Sequence, residues 1–216
     1  DLLTPVLLQE ETDSEAFEHK TLQTTQDWIQ KGLAFKPEDL FFYTGQANFM
    51  HTYQTRGNGK AVREKMVELF LPHITPFTPL LNPDEKPHIG FLVTQGHEYI
   101  FAKSVCGILN HLSRNKYKIT LFCNQSGFNT SIKPHLNNPE IELIDIPVSI
   151  SKSAELVHQA ACDILNFWEI STDSQNFFLP FYKLAPIQTL SWGWPMTSGN
   201  PEVDYYLSSK HLETDD

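Results

Sequence analysis

No run of about 18 apolar residues occurs anywhere in the 216-residue sequence, so nothing in it reads as a membrane-spanning helix. Basic charge is scarce too: 16 Lys and Arg stand against 26 Asp and Glu, a formal net charge of −10. Nucleic-acid binders carry a basic footprint, and that class is set aside. Cysteine is rare. Cys106, Cys123 and Cys162 are widely spaced and each sits in an apolar stretch, which predicts reduced, buried thiols and a cytoplasmic setting. The opening Asp1-Leu2-Leu3-Thr4-Pro5 lacks the cationic flank and long apolar run of a secretory signal. On that expectation the sequons at Asn124 and Asn129 are discounted. No C-x-x-C occurs and no two of the nine His stand four apart, so no metal site is expected. No G-x-G-x-x-G is present either, and a dinucleotide site is unsupported.

What the chain does have is a change of grammar. Val62, Met66, Leu69 and Phe70 fall on one helical face after Gly57-Asn58-Gly59, and Phe17, Leu22, Trp28, Ile29 and Leu33 make a looser helical stripe. Pro72 to Pro87 then carries five prolines in sixteen residues and reads as a linker. Beyond it, strands are predicted at His88–Val93, Tyr117–Cys123, Ile141–Ile146, Cys162–Phe167 and Ile187–Trp192, with a short last one near Tyr205-Tyr206-Leu207. Helices are predicted through the Val105 to Leu112 stripe, over Ala154 to Ala161 and over Asn176 to Leu184. The expected organisation is a helical segment over residues 1–75, a linker over 76–87, and a Rossmann-like lobe over 88–216. Strand–helix alternation implies an α/β fold with a mostly parallel, doubly wound sheet. Right-handed crossovers predict that the first and fourth strands are neighbours at the switch in strand order.

Ligands of such sheets sit beyond the carboxyl ends of the strands. Three segments lie there. Thr94-Gln95-Gly96-His97-Glu98 follows the first strand and offers an imidazole, or a histidine that only bonds its own loop. Phe167-Trp168-Glu169-Ile170-Ser171-Thr172-Asp173 follows the fourth strand. It offers an acid beside an indole, with Asp173 as a candidate N-cap. Ser191-Trp192-Gly193-Trp194-Pro195-Met196-Thr197-Ser198-Gly199 follows the fifth, where hydroxyls and glycines can bring backbone N–H groups to a polyhydroxylated or anionic ligand. His97, Glu169 and the Thr197-Ser198-Gly199 turn are expected to line one crevice.

The run Ala185-Pro186-Ile187-Gln188, then Trp192 to Gly199, then Asp204-Tyr205-Tyr206 resembles a signature of O-linked N-acetylglucosamine transferase and SPINDLY-type glycosyltransferases. Lys86-Pro87-His88-Ile89-Gly90-Phe91-Leu92-Val93 is similar to that family's opening strand. Asn48-Phe49-Met50-His51-Thr52-Tyr53-Gln54 is similar to a segment of bacterial members with tetratricopeptide repeats. The similarity runs over residues 45 to 216. It implies the N-terminal lobe of a two-lobed GT-B fold that moves N-acetylglucosamine or a hexose from a nucleotide sugar to a protein hydroxyl. It further implies His97 as the catalytic-region histidine and Glu169, Gly193, Trp194, Pro195, Thr197, Ser198 and Gly199 as substrate-binding positions. The donor is expected to be UDP-linked, with no metal or other cofactor, and the partner a protein or peptide acceptor. In this family the second lobe supplies most nucleotide contacts, so the 216 residues alone are expected to be inactive. The segment from Gly90 to His97 is shorter than the family's, and Phe167-Trp168-Glu169 replaces its usual motif, which leaves the general base unassigned. The competing readings are a non-catalytic protein-binding module of the same fold and a stand-alone flavodoxin-like ligand domain.

Overall fold

The apolar run after Pro87 forms β1 (His88–Leu92), a strand covered on both faces. A computed structural model describes residues 11–37, 59–194 and 197–211; the 48–54 segment and Pro195 lie outside them. In chain order the main elements are α1 (Glu11–Gln30), α2 (Gly59–Val67), β1, α3 (Glu98–His111), β2 (Lys118–Cys123), β3 (Glu142–Asp145), α4 (Ile150–Gln159), β4 (Ile164–Phe167), α5 (Ser174–Phe178), β5 (Ile187–Leu190) and β6 (Tyr205–Tyr206). The strands form one parallel sheet in the order β3-β2-β1-β4-β5-β6. This is the doubly wound arrangement expected, with the switch between β1 and β4. Leu92 pairs with both Phe122 and Phe167, and Phe167 pairs with Leu190, so four strands end level.

Alternation along the strands sends side chains to two separate cores. Phe91, Val93, Leu121 and Cys123 pack with Phe101, Val105 and Leu109 of α3 on one face. Leu92, Phe122, Leu165 and Phe167 pack on the other with α4, α5 and α2. Val62, Met66, Val67 and Phe70 thus share a core with the sheet, and Phe70 meets the rings of Phe177 and Phe178 edge-on at 5.9 and 5.2 Å. The proline-rich stretch between α2 and β1 is pinned across this core. Phe77 N–H donates to Tyr182 O (2.7 Å), its ring stacks on His158, and Asn82 Nδ2 donates to Asp163 Oδ2 (2.7 Å). The sheet packs tightly at Gly90, where a Cβ would lie 2.8–2.9 Å from Phe122, Cys162 and Leu165 side chains. Those neighbours are fully buried and cannot yield. Gly90→Ala is expected to lower stability by about 1–3 kcal/mol in urea unfolding; an unchanged midpoint would show slack at the sheet centre.

Local chemistry moves two boundaries. The helix expected to run to Leu184 instead breaks after Phe178 into a 3-10 turn, Leu179–Tyr182, because Pro180 has no N–H to continue the ladder. The strand expected from Cys162 begins at Ile164, after Ala161 takes a left-handed turn at φ +52°. The thiols are buried, and burial pushes Cys106 up to about 11 and Cys123 and Cys162 up to about 12. They are poor nucleophiles. Asn124, at one of the sequons, is instead an N-cap whose Oδ1 accepts from Ser126 and Gly127 N–H.

Candidate functional site

Beyond Leu92 the chain turns sharply at Gly96, whose φ of +97° suits glycine, and His97 becomes the N-cap residue of α3. Across the switch point β4 delivers a second loop. Its entry is fixed by Trp168 N–H donating to Leu92 O (3.1 Å), with the Trp168 indole almost fully buried. Asp173 caps α5 through a reciprocal capping box with Asn176, as its position before that helix suggested. Asn176 also ties the loop from inside: its Oδ1 accepts from the N–H groups of Ser171, Thr172 and Asp173 at 2.8, 3.1 and 3.2 Å. That tie accommodates Ser171 at φ +84°, a left-handed conformation that serine rarely adopts.

These two loops converge on one imidazole. His97 Nδ1 lies against Glu169 Oε1, and Nε2 lies 3.2 Å from Asp173 Oδ2. Thr94 Oγ1 donates to the same Asp173 oxygen, and Asn176 Nδ2 donates to it at 2.9 Å. The ring is 16% exposed, Glu169 9% and Asp173 27%, so the triad is largely buried with Asp173 outermost. Burial by itself pulls the ring's pKa down. Hydrogen bonds to Asp173 and Glu169, with their charges, outweigh it and hold His97 at about 10. At neutral pH it is therefore held protonated between the two carboxylates. Asp173→Asn keeps a good N-cap but removes one charge. It is expected to lower the His97 titration midpoint by about 1–3 pH units in ring NMR; an unmoved midpoint would mean Asp173 contributes no charge to the ring.

The third segment follows β5. Trp192 meets Trp168 edge-on, centroids 6.0 Å apart. Gly193 presses on the same indole, where a Cβ would sit 2.5 Å from both the Trp168 ring and its carbonyl oxygen. Trp194 is buried. The chain then turns toward α2: Gly199, at φ +63°, packs so that a Cβ would meet Arg63 Cβ at 2.6 Å. Thr197, Ser198 and Gly199 line a cleft of about 870 Å³ with α2, β5 and β6 residues, and His97 and Glu169 do not line it. The structure thus gathers His97 and Glu169 into direct contact. It leaves the Thr197–Gly199 turn on the same edge in a neighbouring cleft, rather than in one shared crevice. Arg63 bridges the two regions. It is 1% exposed, burial pulls its guanidinium down to about 10, and Nη1 donates to Ser171 Oγ (2.7 Å). Sequence reasoning missed Arg63, Thr94 and Asn176. Among the described residues no three His, Cys, Asp or Glu side chains gather as they would around a metal ion, and no helix is long and apolar enough to cross a membrane.

No protein-family model and no curated protein matches the sequence. Among solved structures the fold is similar to a mutant O-GlcNAc transferase of Thermobaculum terrenum, with a TM-score of 0.60 and 16% identity. The fold is a Rossmann-like lobe of the GT-B kind. The likeness covers 77% of this chain but 34% of that protein, so the chain spans about a third of its neighbour's length.

Proposed function

We propose that this chain is the N-terminal lobe of a glycosyltransferase that moves a sugar, N-acetylglucosamine or a hexose, from a nucleotide sugar to a protein hydroxyl. The observation that carries the reading is the clamped imidazolium at the switch point: His97 from the β1 loop, held by Glu169 and Asp173 from the β4 loop. The likeness of the lobe to an O-GlcNAc transferase supports it. In this reading the acceptor hydroxyl enters beside Nε2 and takes the place of Asp173, the more exposed and more distant of the two carboxylates. Losing that hydrogen bond lowers the ring's pKa, so Nε2 releases its proton to solvent and its freed lone pair accepts the hydroxyl proton as the oxygen bonds to the sugar and the nucleotide diphosphate departs. Glu169, deeper and against Nδ1, keeps the ring oriented. Gly193 and Trp194 stand on the donor side in this reading, with Thr197, Ser198 and Gly199 as further substrate-binding positions, and Gly199 packs on α2.

Nucleotide binding belongs, in the same proposal, to a second lobe working opposite this one. The 216 residues by themselves are then expected to bind uridine diphosphate no tighter than about millimolar, or about −4 kcal/mol, by calorimetry. A micromolar constant would show a complete nucleotide site within these residues and contradict the division of labour.

A further inference from the structure

Val62, Met66 and Val67 of α2 lie in the core, and beside Val62 stands an arginine buried as fully as they are, Arg63 at 1% exposure. Holding a helix against a core does not require a guanidinium. An apolar side chain of similar length fills the same space without the desolvation cost of a charge. That cost is visible in the guanidinium's pKa, which burial pulls down to about 10. What the guanidinium adds is a directed bond: Nη1 donates to Ser171 Oγ at 2.7 Å, across 108 positions of sequence. Ser171 is itself buried, sits at φ +84°, and stands midway between Glu169 and Asp173, two residues from each. Those two carboxylates grip the His97 ring from Nδ1 and from Nε2. A displacement at Ser171 therefore moves both.

The loop's other tie, Asn176 Oδ1, grips the backbone N–H groups of residues 171 to 173 from the α5 side, while the Ser171 side chain is gripped from α2. α2 cannot simply follow the loop. The Gly199 turn lies on its backbone, where a Cβ at Gly199 would sit 2.6 Å from Arg63 Cβ and 2.9 Å from Glu64 N. We propose that Arg63 is a positioning residue for His97: through Ser171 it holds the β4 loop so that Glu169 and Asp173 both stay against the ring. α2 thereby becomes part of the site, although Arg63 acts through the loop and is not itself a catalytic group. Glu98, the acid next to His97, directs Oε2 to Gly96 N–H (2.8 Å), so Glu169 and Asp173 are the carboxylates that set the ring's charge. The bearing of this grip on catalysis rests on the proposed sugar transfer, but the grip itself does not.

The test follows the His97 ring by NMR against pH in the whole chain, beside urea unfolding, so its outcome is independent of sugar transfer. Arg63→Met removes the donor and keeps a buried side chain of similar length. Ser171→Gly removes the acceptor at a φ that glycine adopts readily. Each is expected to lower the His97 midpoint by about 1 pH unit. The double variant is expected to lower it no further than either single one, because the two changes break one bond. Val62→Ala, one position away in α2, is expected to lower the urea midpoint and to leave the ring's midpoint in place. An unmoved ring in folded Arg63→Met or in Ser171→Gly would overturn the proposal, and where Arg63→Met does not fold, Ser171→Gly decides alone. A Val62→Ala shift as large as theirs would overturn it too, as would a double-variant shift equal to the sum of the single ones.

Discussion

Raising the pH from about 6.5 to about 10 is expected to weaken the fold by roughly 3–5 kcal/mol through His97 alone. The folded-state pKa of about 10 lies above the ring's ordinary 6.5. The folded state therefore holds a proton that the unfolded chain releases across this window. The contribution is fully present below 6.5, shrinks as pH rises, and is gone once the folded ring itself deprotonates near 10. Other groups titrate at the alkaline end, so the measurement is a difference. Urea unfolding of the parent and of His97→Gln is compared at steps between pH 6 and 10. The parent is expected to lose stability relative to the variant as pH rises; parallel curves would mean that the two carboxylates do not hold the proton on the ring.

His97→Ala is expected to lower sugar transfer by ~10²-fold or more in an assembly where this lobe works with a nucleotide-binding lobe. The effect should fall on kcat with a smaller change in the donor KM, because the proposal places His97 against the acceptor and not the nucleotide. Asp173→Asn should move the alkaline limb of the pH profile down, in step with the His97 midpoint read by NMR. His97→Ala with unchanged kinetics would leave the histidine a structural clamp between two loops. A loss confined to the donor KM would place it on the nucleotide side of the crevice instead.

The sheet was legible because its rules are local and topological. Apolar runs such as Ile89 to Val93 announce covered strands, and crossover handedness then fixes β1 beside β4. That ordering brings His97 and Glu169 together from 72 positions apart, with nothing in their own loops demanding it. Asp173 was legible as an N-cap, since a cap is read from its own helix. Its second duty, receiving His97 and Thr94 on Oδ2, depends on distant partners and leaves no local trace. Arg63 was hidden for a similar reason. It stands beside Val62 in a helix that reads as amphipathic, and becomes buried only because α2 is covered by both the β4 loop and the Gly199 turn. The Thr197–Gly199 turn lines a cleft that His97 and Glu169 do not line. β1 and β5 are separated by β4 alone, roughly 10 Å at a parallel spacing, but the turn at Gly199 packs against Arg63 of α2.

The most direct measurement is a mass-spectrometric assay of sugar transfer to protein hydroxyls by this lobe joined to a nucleotide-binding lobe. Intact protein acceptors would be incubated with UDP-linked N-acetylglucosamine or UDP-linked hexose. The predicted result is a mass gain of one sugar residue on Ser or Thr that disappears with His97→Ala. No gain with either donor, or a gain that persists undiminished without His97, would contradict the reading of the His97–Glu169–Asp173 crevice as a glycosyl-transfer site.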